Sequence, residues 1–157
     1  MKIKLLAVGK TDDKNLQHLI DAYQKRLSFY IKFDLEVIPD IKNSKNLTEQ
    51  QQKEQEGILL LKRLDPTDEL ILLDERGTQY RSLAFAGFLQ KKMNSGIKQL
   101  VFAIGGPYGF SDAVYQKATA SVALSKMTFS HQMVRLFITE QLYRAFTILR
   151  NEPYHHE

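Results

Sequence analysis

Two short runs constrain this chain more than anything else in it: Glu69-Leu-Ile-Leu-Leu-Asp74 and Gln99-Leu-Val-Phe-Ala-Ile104. A strand with one wet face alternates apolar and polar residues. Short runs that are apolar nearly throughout fit strands buried on both faces, the condition of a parallel sheet with helices on either side. The rest of the chain supplies the partners. Lys2 to Val8 sets Ile3, Leu5 and Ala7 against Lys4 and ends at Gly9, a first strand. Phe33 to Ile38 alternates apolar and acidic residues before Pro39 stops it, and Ser121 to Leu124 is a last short strand.

Between these strands the apolar spacing turns helical. Leu16, Leu19, Ile20, Tyr23 and Leu27 predict a helix over Asn15 to Leu27. A second runs from Thr48 to Leu64, with Thr48 placed to cap it and Gln51 three residues on. Its polar stretch Glu49 to Glu56 reads as a helix with one wet face. Leu83 to Met93, Ser111 to Ala118 and Ser130 to Arg150 complete the set, with Ser111 (beside Asp112) and Ser130 as caps. Asp40 to Leu47 reads as an exposed loop, Asp65 to Asp68 as a turn, and Arg76-Gly77-Thr78 as the break that ends the third strand. Strands alternating with helices give an α/β fold with a mostly parallel sheet, one domain over residues 1–157, without linker or repeat.

Composition excludes several classes. No apolar run approaches the roughly 20 residues that cross a bilayer, so no membrane association is expected. The first residues carry lysines and no signal-peptide core. There is no cysteine, which removes disulfides, thiolate metal sites and cysteine nucleophiles and is compatible with a reducing cytoplasm. No His, Asp and Glu cluster has metal-ligand spacing, and no metal is expected. The 22 Lys and Arg against 18 Asp and Glu leave a charge of +4, a mild bias toward a polyanionic partner.

In a parallel sheet, ligands sit beyond the carboxyl ends of the strands. Three loops leave such ends: after Leu73, at Gly105 to Gly109, and at Ser125 to Ser130. Gly105-Gly-Pro-Tyr-Gly109 is neither a Walker A loop nor a dinucleotide fingerprint. It reads as a tight strand-to-helix turn or as a backbone that approaches a ligand closely. In Leu124-Ser-Lys-Met-Thr-Phe-Ser130, backbone groups can meet an adenine edge with Met127 and Phe129 flanking the base, or both side chains can be core.

The last helix carries Val134, Phe137, Ile138, Leu142, Ala145, Phe146 and Leu149 on a wide apolar face, to be buried in this domain or against a second copy. Glu140 and Arg144 lie four apart and share a face. His18 and His131 read as structural or solvent-facing residues.

These residues resemble something specific. Phe102-Ala-Ile-Gly-Gly-Pro-Tyr-Gly-Phe-Ser111, Leu124-Ser-Lys-Met-Thr-Phe-Ser-His131, and Glu140-Gln-Leu-Tyr-Arg-Ala145 continuing to Pro153-Tyr-His-His156 are similar, in this order, to three motifs of the RlmH family. The likeness extends over essentially the entire chain. It implies a minimal SPOUT methyltransferase domain with a C-terminal deep trefoil knot, a cytoplasmic homodimer without a separate RNA-binding domain. It also implies transfer of a methyl group from S-adenosyl-L-methionine, leaving S-adenosyl-L-homocysteine, to N3 of a pseudouridine in 23S rRNA of the assembled ribosome. Carried over, Leu73, Gly105, Gly106, Leu124, Ser125, Lys126, Met127, Thr128, Phe129 and Ser130 bind the cofactor. Arg144, Tyr154 and His155 form the catalytic group: Arg144 for a phosphate or base carbonyl, Tyr154 to orient the base, His155 as base or proton relay, with Glu140 orienting Arg144. A knotted methyltransferase acting on tRNA, and a non-catalytic RNA- or nucleotide-binding module, are the alternatives.

Overall fold

In the computed structural model, which describes residues 1–156, the strands β1 (Lys2–Val8), β2 (Phe33–Ile38), β3 (Glu69–Gln79), β4 (Gln99–Ile104) and β5 (Ala120–Ala123) form one sheet in the order β2-β1-β4-β3-β5. Every pairing is parallel. The helices are α1 (Lys14–Leu27), α2 (Glu49–Leu61), α3 (Ser82–Asn94), α4 (Asp112–Lys117) and α5 (His131–Leu149). The loop of residues 40–47 also holds a 3-10 turn at Ser44–Asn46.

The all-apolar strands have two wet-free faces to fill. On one, Ile3, Leu5, Ala7, Ile71, Leu100, Phe102 and Ile104 pack against α1, α3 and α5 through Leu27, Phe85, Leu89, Ile138, Leu142 and Phe146. On the other, Leu6, Val8, Leu70, Leu72, Val101 and Ala103 meet Leu60 of α2 and Val114 of α4. Successive strand residues point to opposite faces, so both parities must be apolar. The same holds for β1: Lys4 marks only its rim, held by Glu36 at 3.1 Å.

Helix starts follow their caps. Thr48 and Gln51 form the reciprocal capping box, Asp13 accepts from the amides of Asn15 and Leu16, and Ser130 accepts from Met133. Ser111 occupies the cap position of α4 without a side-chain bond to it.

One expectation needs correction. The chain does not leave the sheet at Arg76-Gly77-Thr78: β3 continues to Gln79. Val122 of β5 is the register partner of Leu73 and again of Thr78. The register of β3 on β5 therefore shifts across residues 74–77, an irregularity within the pairing. Gly77 is the pivot, because a Cβ there would lie 2.6 Å from the Ser121 backbone carbon. The one-wet-face reading of α2 fits, and its inner side includes a polar residue, Glu56, buried against the glycine loop. Finally, the face of α5 includes a fully buried Arg135, whose guanidinium donates to the Val8 carbonyl at 2.8 Å and Thr11 Oγ1 at 3.0 Å. Those bonds tie α5 to the end of β1.

Candidate functional site

Because the strands are parallel and β4, β3 and β5 are neighbours, the three loops leaving their carboxyl ends converge. They enclose a cleft of about 520 Å³, within the ordinary size of a small-molecule site. Leu73, Gly105, Gly106, Leu124, Ser125, Met127, Thr128, Phe129 and Ser130 all line it; of the residues expected there, Lys126 does not.

The glycine loop is both things its sequence allows. Gly106 accepts from the Gly109 amide at 3.1 Å, closing a turn around Pro107 and Tyr108, and Gly109 has φ of +79°. Gly106 also has no room for a side chain, since a Cβ would come within 2.2 Å of Glu56 Oε2. The backbone is thus the cleft's inner wall. Opposite it, Met127 is 74 % exposed and Phe129 38 % exposed, so neither is core. Met127 N donates to Ser125 Oγ at 2.9 Å, shaping this loop locally. Thr128 Oγ1 donates to Glu75 at 2.8 Å, joining the loop after β5 to the excursion of β3 across the cleft.

Sequence reasoning missed part of the lining. Asp74, Glu75, Arg76 and Tyr115 stand at the cleft wall. The Asp74 carboxylate accepts from the Tyr115 hydroxyl and from the Arg76 amide at 2.8 Å. Burial works to raise its pKa, but the bonds from Tyr115 and Arg76 outweigh it and hold the carboxyl below its usual range. Two acids directly after a buried strand were the available signal. His131, expected to be structural or solvent-facing, also lines the cleft, whereas His18 is exposed.

The second group lies elsewhere. α5 starts at the carboxyl end of the sheet and returns toward the strands' amino ends. Val134 is on the cleft; Arg144, ten residues further, is about 15 Å along the helix. There Glu140 Oε1 accepts from Arg144 Nε at 3.0 Å and from the Tyr154 hydroxyl at 3.0 Å. Tyr154 shares its hydroxyl with that of Tyr23 at 3.1 Å. The Arg144 guanidinium stands 4.7 Å from the centre of the Tyr154 ring and Nη1 is 3.5 Å from His155 Nδ1. Glu140 is therefore the hub of the tail, holding more than Arg144 alone. Burial, then the bonds to Tyr23 and Glu140, push the Tyr154 hydroxyl well above its ordinary pKa, so it stays protonated and donates. His155 Nε2 is buried with no partner. Arg144, Tyr154 and His155 are thus assembled with one another, and within one chain they are separate from the cleft.

Among the described residues no cluster of three or more His, Cys, Asp or Glu is placed to hold a metal ion. No helix is long and apolar enough to cross a membrane.

The chain matches the family described as predicted SPOUT methyltransferase over residues 1–155. It is 71% identical, over the full length of both chains, to the ribosomal RNA large subunit methyltransferase H of Flavobacterium psychrophilum. The protein of the same name from Christiangramia forsetii is 60% identical over 99% of each chain. Among solved structures, a probable methylase family protein from Haemophilus influenzae superposes with a TM-score of 0.52 over 99% of this chain and 70% of its own, at 14% identity, a likeness of fold.

Proposed function

The chain belongs to the SPOUT methyltransferase family, and from that premise we propose that it transfers the methyl group of S-adenosylmethionine to N3 of a pseudouridine in 23S rRNA of the assembled ribosome. The chain is read as a single SPOUT domain with the family's trefoil knot, acting in the cytoplasm where its substrate is. One observation carries the proposal: a cleft of small-molecule size walled by glycine backbone on one side and by an exposed methionine and phenylalanine on the other. That chemistry suits the cosubstrate, whose adenine needs an apolar slot and backbone hydrogen-bond partners. When bound, it supplies an electrophilic methyl group on a sulfonium. Leu73, Gly105, Gly106 and the lining residues of Leu124 to Ser130 would hold it.

The protein's remaining task is positioning and proton removal. A protonated imide nitrogen has no free lone pair, so the N3 proton must leave, and the acceptor must be held in line with the methyl group. His155, with its unpartnered Nε2, is the candidate proton acceptor. Imidazole is the side chain suited to that role near neutral pH. Tyr154 donates to the base or holds Glu140, and Arg144 neutralises a phosphate or the anionic base.

The separation of cleft and tail implies that the active unit is a homodimer in which the tail of one subunit completes the cleft of the other. Mixing a tail-deleted subunit with a cleft variant tests this, and no recovered activity in demonstrated heterodimers would refute it. The function itself is tested by offering labelled S-adenosylmethionine with ribosomes, free large subunits and bulk tRNA. Label in 23S rRNA, lost when the target pseudouridine is replaced by uridine, is the expected result. Label in tRNA alone would overturn the substrate. Cofactor binding with no transfer anywhere would leave a binding module.

A further inference from the structure

The amino ends of the strands form a second pole, opposite the cleft, and it gathers several exposed basic residues. Lys32, Lys2 and Lys98 stand at the starts of three adjacent strands: Ile3 N donates to the Lys32 carbonyl and Lys2 N to the Lys98 carbonyl, each at 2.9 Å. Neighbouring strands are about 4.8 Å apart, so the backbones of these three residues make a row about 10 Å long, with Lys98 alternate in face to Lys2, whose register partner is Gln99. All three are exposed. In the last turn of α1, Lys25 and Arg26 are exposed too, and none of these five cations has a carboxylate within ion-pair distance among the described residues. Basic residues at a helix end are partly explained by the helix dipole. That does not explain a lysine at the start of each of three strands.

Next to these cations is Phe29, 79 % exposed, the most exposed of the large apolar side chains. It sits in the turn after α1, its amide bonded to the Arg26 carbonyl at 3.3 Å. Arg26 in turn stands 5.2 Å from the centre of the Tyr23 ring and 6.0 Å from that of Tyr143. Tyr143 packs edge-on against Tyr154, centroids 4.7 Å apart. A continuous path therefore runs from the tail cluster over Arg26 to Phe29 and on to the lysine row. Asp34, an exposed acid, lies two residues beyond Lys32 on β2, level with Lys4.

We propose that this basic, aromatic pole is the docking surface for the RNA strand flanking the target nucleotide, with Arg26, Lys25 and the lysine row on phosphates and Phe29 stacked on an unpaired base. The assignment rests on RNA being the substrate. Unpartnered cations interleaved with an exposed ring are the surface that single-stranded nucleic acid recognises: charge follows the backbone, and rings accept any base. A second copy of this chain would carry the same positive charge at this pole and be repelled by it, unless it met it with another face.

The test is methyl transfer to ribosomes by the full-length protein, comparing the wild type with Lys25→Ala/Arg26→Ala and with Phe29→Ala. Cofactor affinity and oligomeric state are measured on the same samples. The double variant is expected to raise KM for ribosomes about tenfold and flatten its dependence on salt, because fewer counterions are released. Phe29→Ala is expected to raise KM several-fold with the salt dependence kept. In both, kcat and cofactor affinity stay near wild type. Unchanged KM and salt slope in active protein would overturn the docking surface while leaving the function intact. Dissociation of an oligomer in either variant would overturn it in favour of a contact between copies. A wild type that labels no RNA would overturn the function first, and this surface with it.

Discussion

The cleft and the tail cluster are built on opposite principles. The part of the cleft read as holding the cofactor is made of backbone and open side chains: a glycine turn, a loop shaped by Ser125, and the exposed Met127 and Phe129, with the Asp74, Arg76 and Tyr115 network at one wall. The tail cluster is made of side chains that bond to each other, with Glu140 accepting from both Arg144 and Tyr154. A backbone wall tolerates changes of side chain around it but not the addition of atoms to it. A side-chain cluster tolerates small shifts of backbone but not the loss of a charge or a hydroxyl. Cofactor binding and chemistry should therefore fail separately.

The sharpest way to break that division is to end the chain after Asn151, which removes Tyr154 and His155 while leaving every lining residue of the cleft in place. Methyl transfer should fall by roughly a thousandfold or more, the scale of lost acid–base and positioning groups. Cofactor affinity, read by calorimetry, should stay within about twofold. A matching fall in affinity would mean that the tail, of the same or of a partner subunit, helps to hold the cofactor.

The converse change is Gly106→Ala. Its Cβ would come within 2.2 Å of the buried Glu56 carboxylate, so the carboxylate or the loop that walls the cleft must shift. Cofactor affinity should drop about tenfold, or roughly 1.4 kcal/mol. The Tyr154 and Arg144 contacts lie at the other end of α5 and should be untouched. Gly87→Ala is the control, because an added Cβ there meets nothing within 4 Å; in mid-helix it should be neutral or stabilising by about 0.5–1 kcal/mol. If both substitutions weaken the cofactor equally, the close packing of Gly106 is irrelevant to binding.

Tyr154→Phe sharpens the tail side. The hydroxyl is held protonated by burial and by its bonds to Tyr23 and Glu140, so it acts as a donor throughout the neutral range. Its loss should cost one hydrogen bond to a charged group, about 1.5 kcal/mol, or roughly tenfold in kcat. The pH profile should keep its shape. Loss of the alkaline or acid limb would identify Tyr154 as the titrating group instead.

How far these regions could be read in the sequence follows from the same contrast. Buried strands declare themselves, because both faces must be apolar, and β1, β2 and β4 begin and end where their patterns do. The cleft was legible as three loops leaving strand ends, a consequence of parallel pairing. What no local pattern holds is the second pairing of β3 with β5, since Gly77 looks like any strand breaker until Ser121 is found against it. Arg135 was hidden for a similar reason: its partners, Val8 and Thr11, are distant in sequence. The pairing of Glu140 with Arg144 was visible as a spacing of four, but the return of Tyr154 to the same carboxylate depends on the path of the tail beyond Arg150.

The smallest expected effect lies behind the cleft. Glu56 is 5 % exposed and its Oε2 has no partner. Burial, with the charge of Asp40 adding to it and the Gln52 amide opposing, raises its pKa above the ordinary 4.5. A carboxyl whose folded value is raised stabilises the fold fully below its unfolded value, and that contribution is lost as pH rises through the folded value. Above its folded value the protein carries a buried, half-satisfied carboxylate against Gly106. Glu56→Gln removes the charge and keeps the shape. Urea unfolding should show a gain of about 1 kcal/mol at pH 8 that shrinks toward zero at pH 4.5. Cofactor affinity should not weaken, because the wall against Gly106 keeps its volume. An equal gain at both pH values would mean that packing, not charge, is what Glu56 contributes behind the glycine loop.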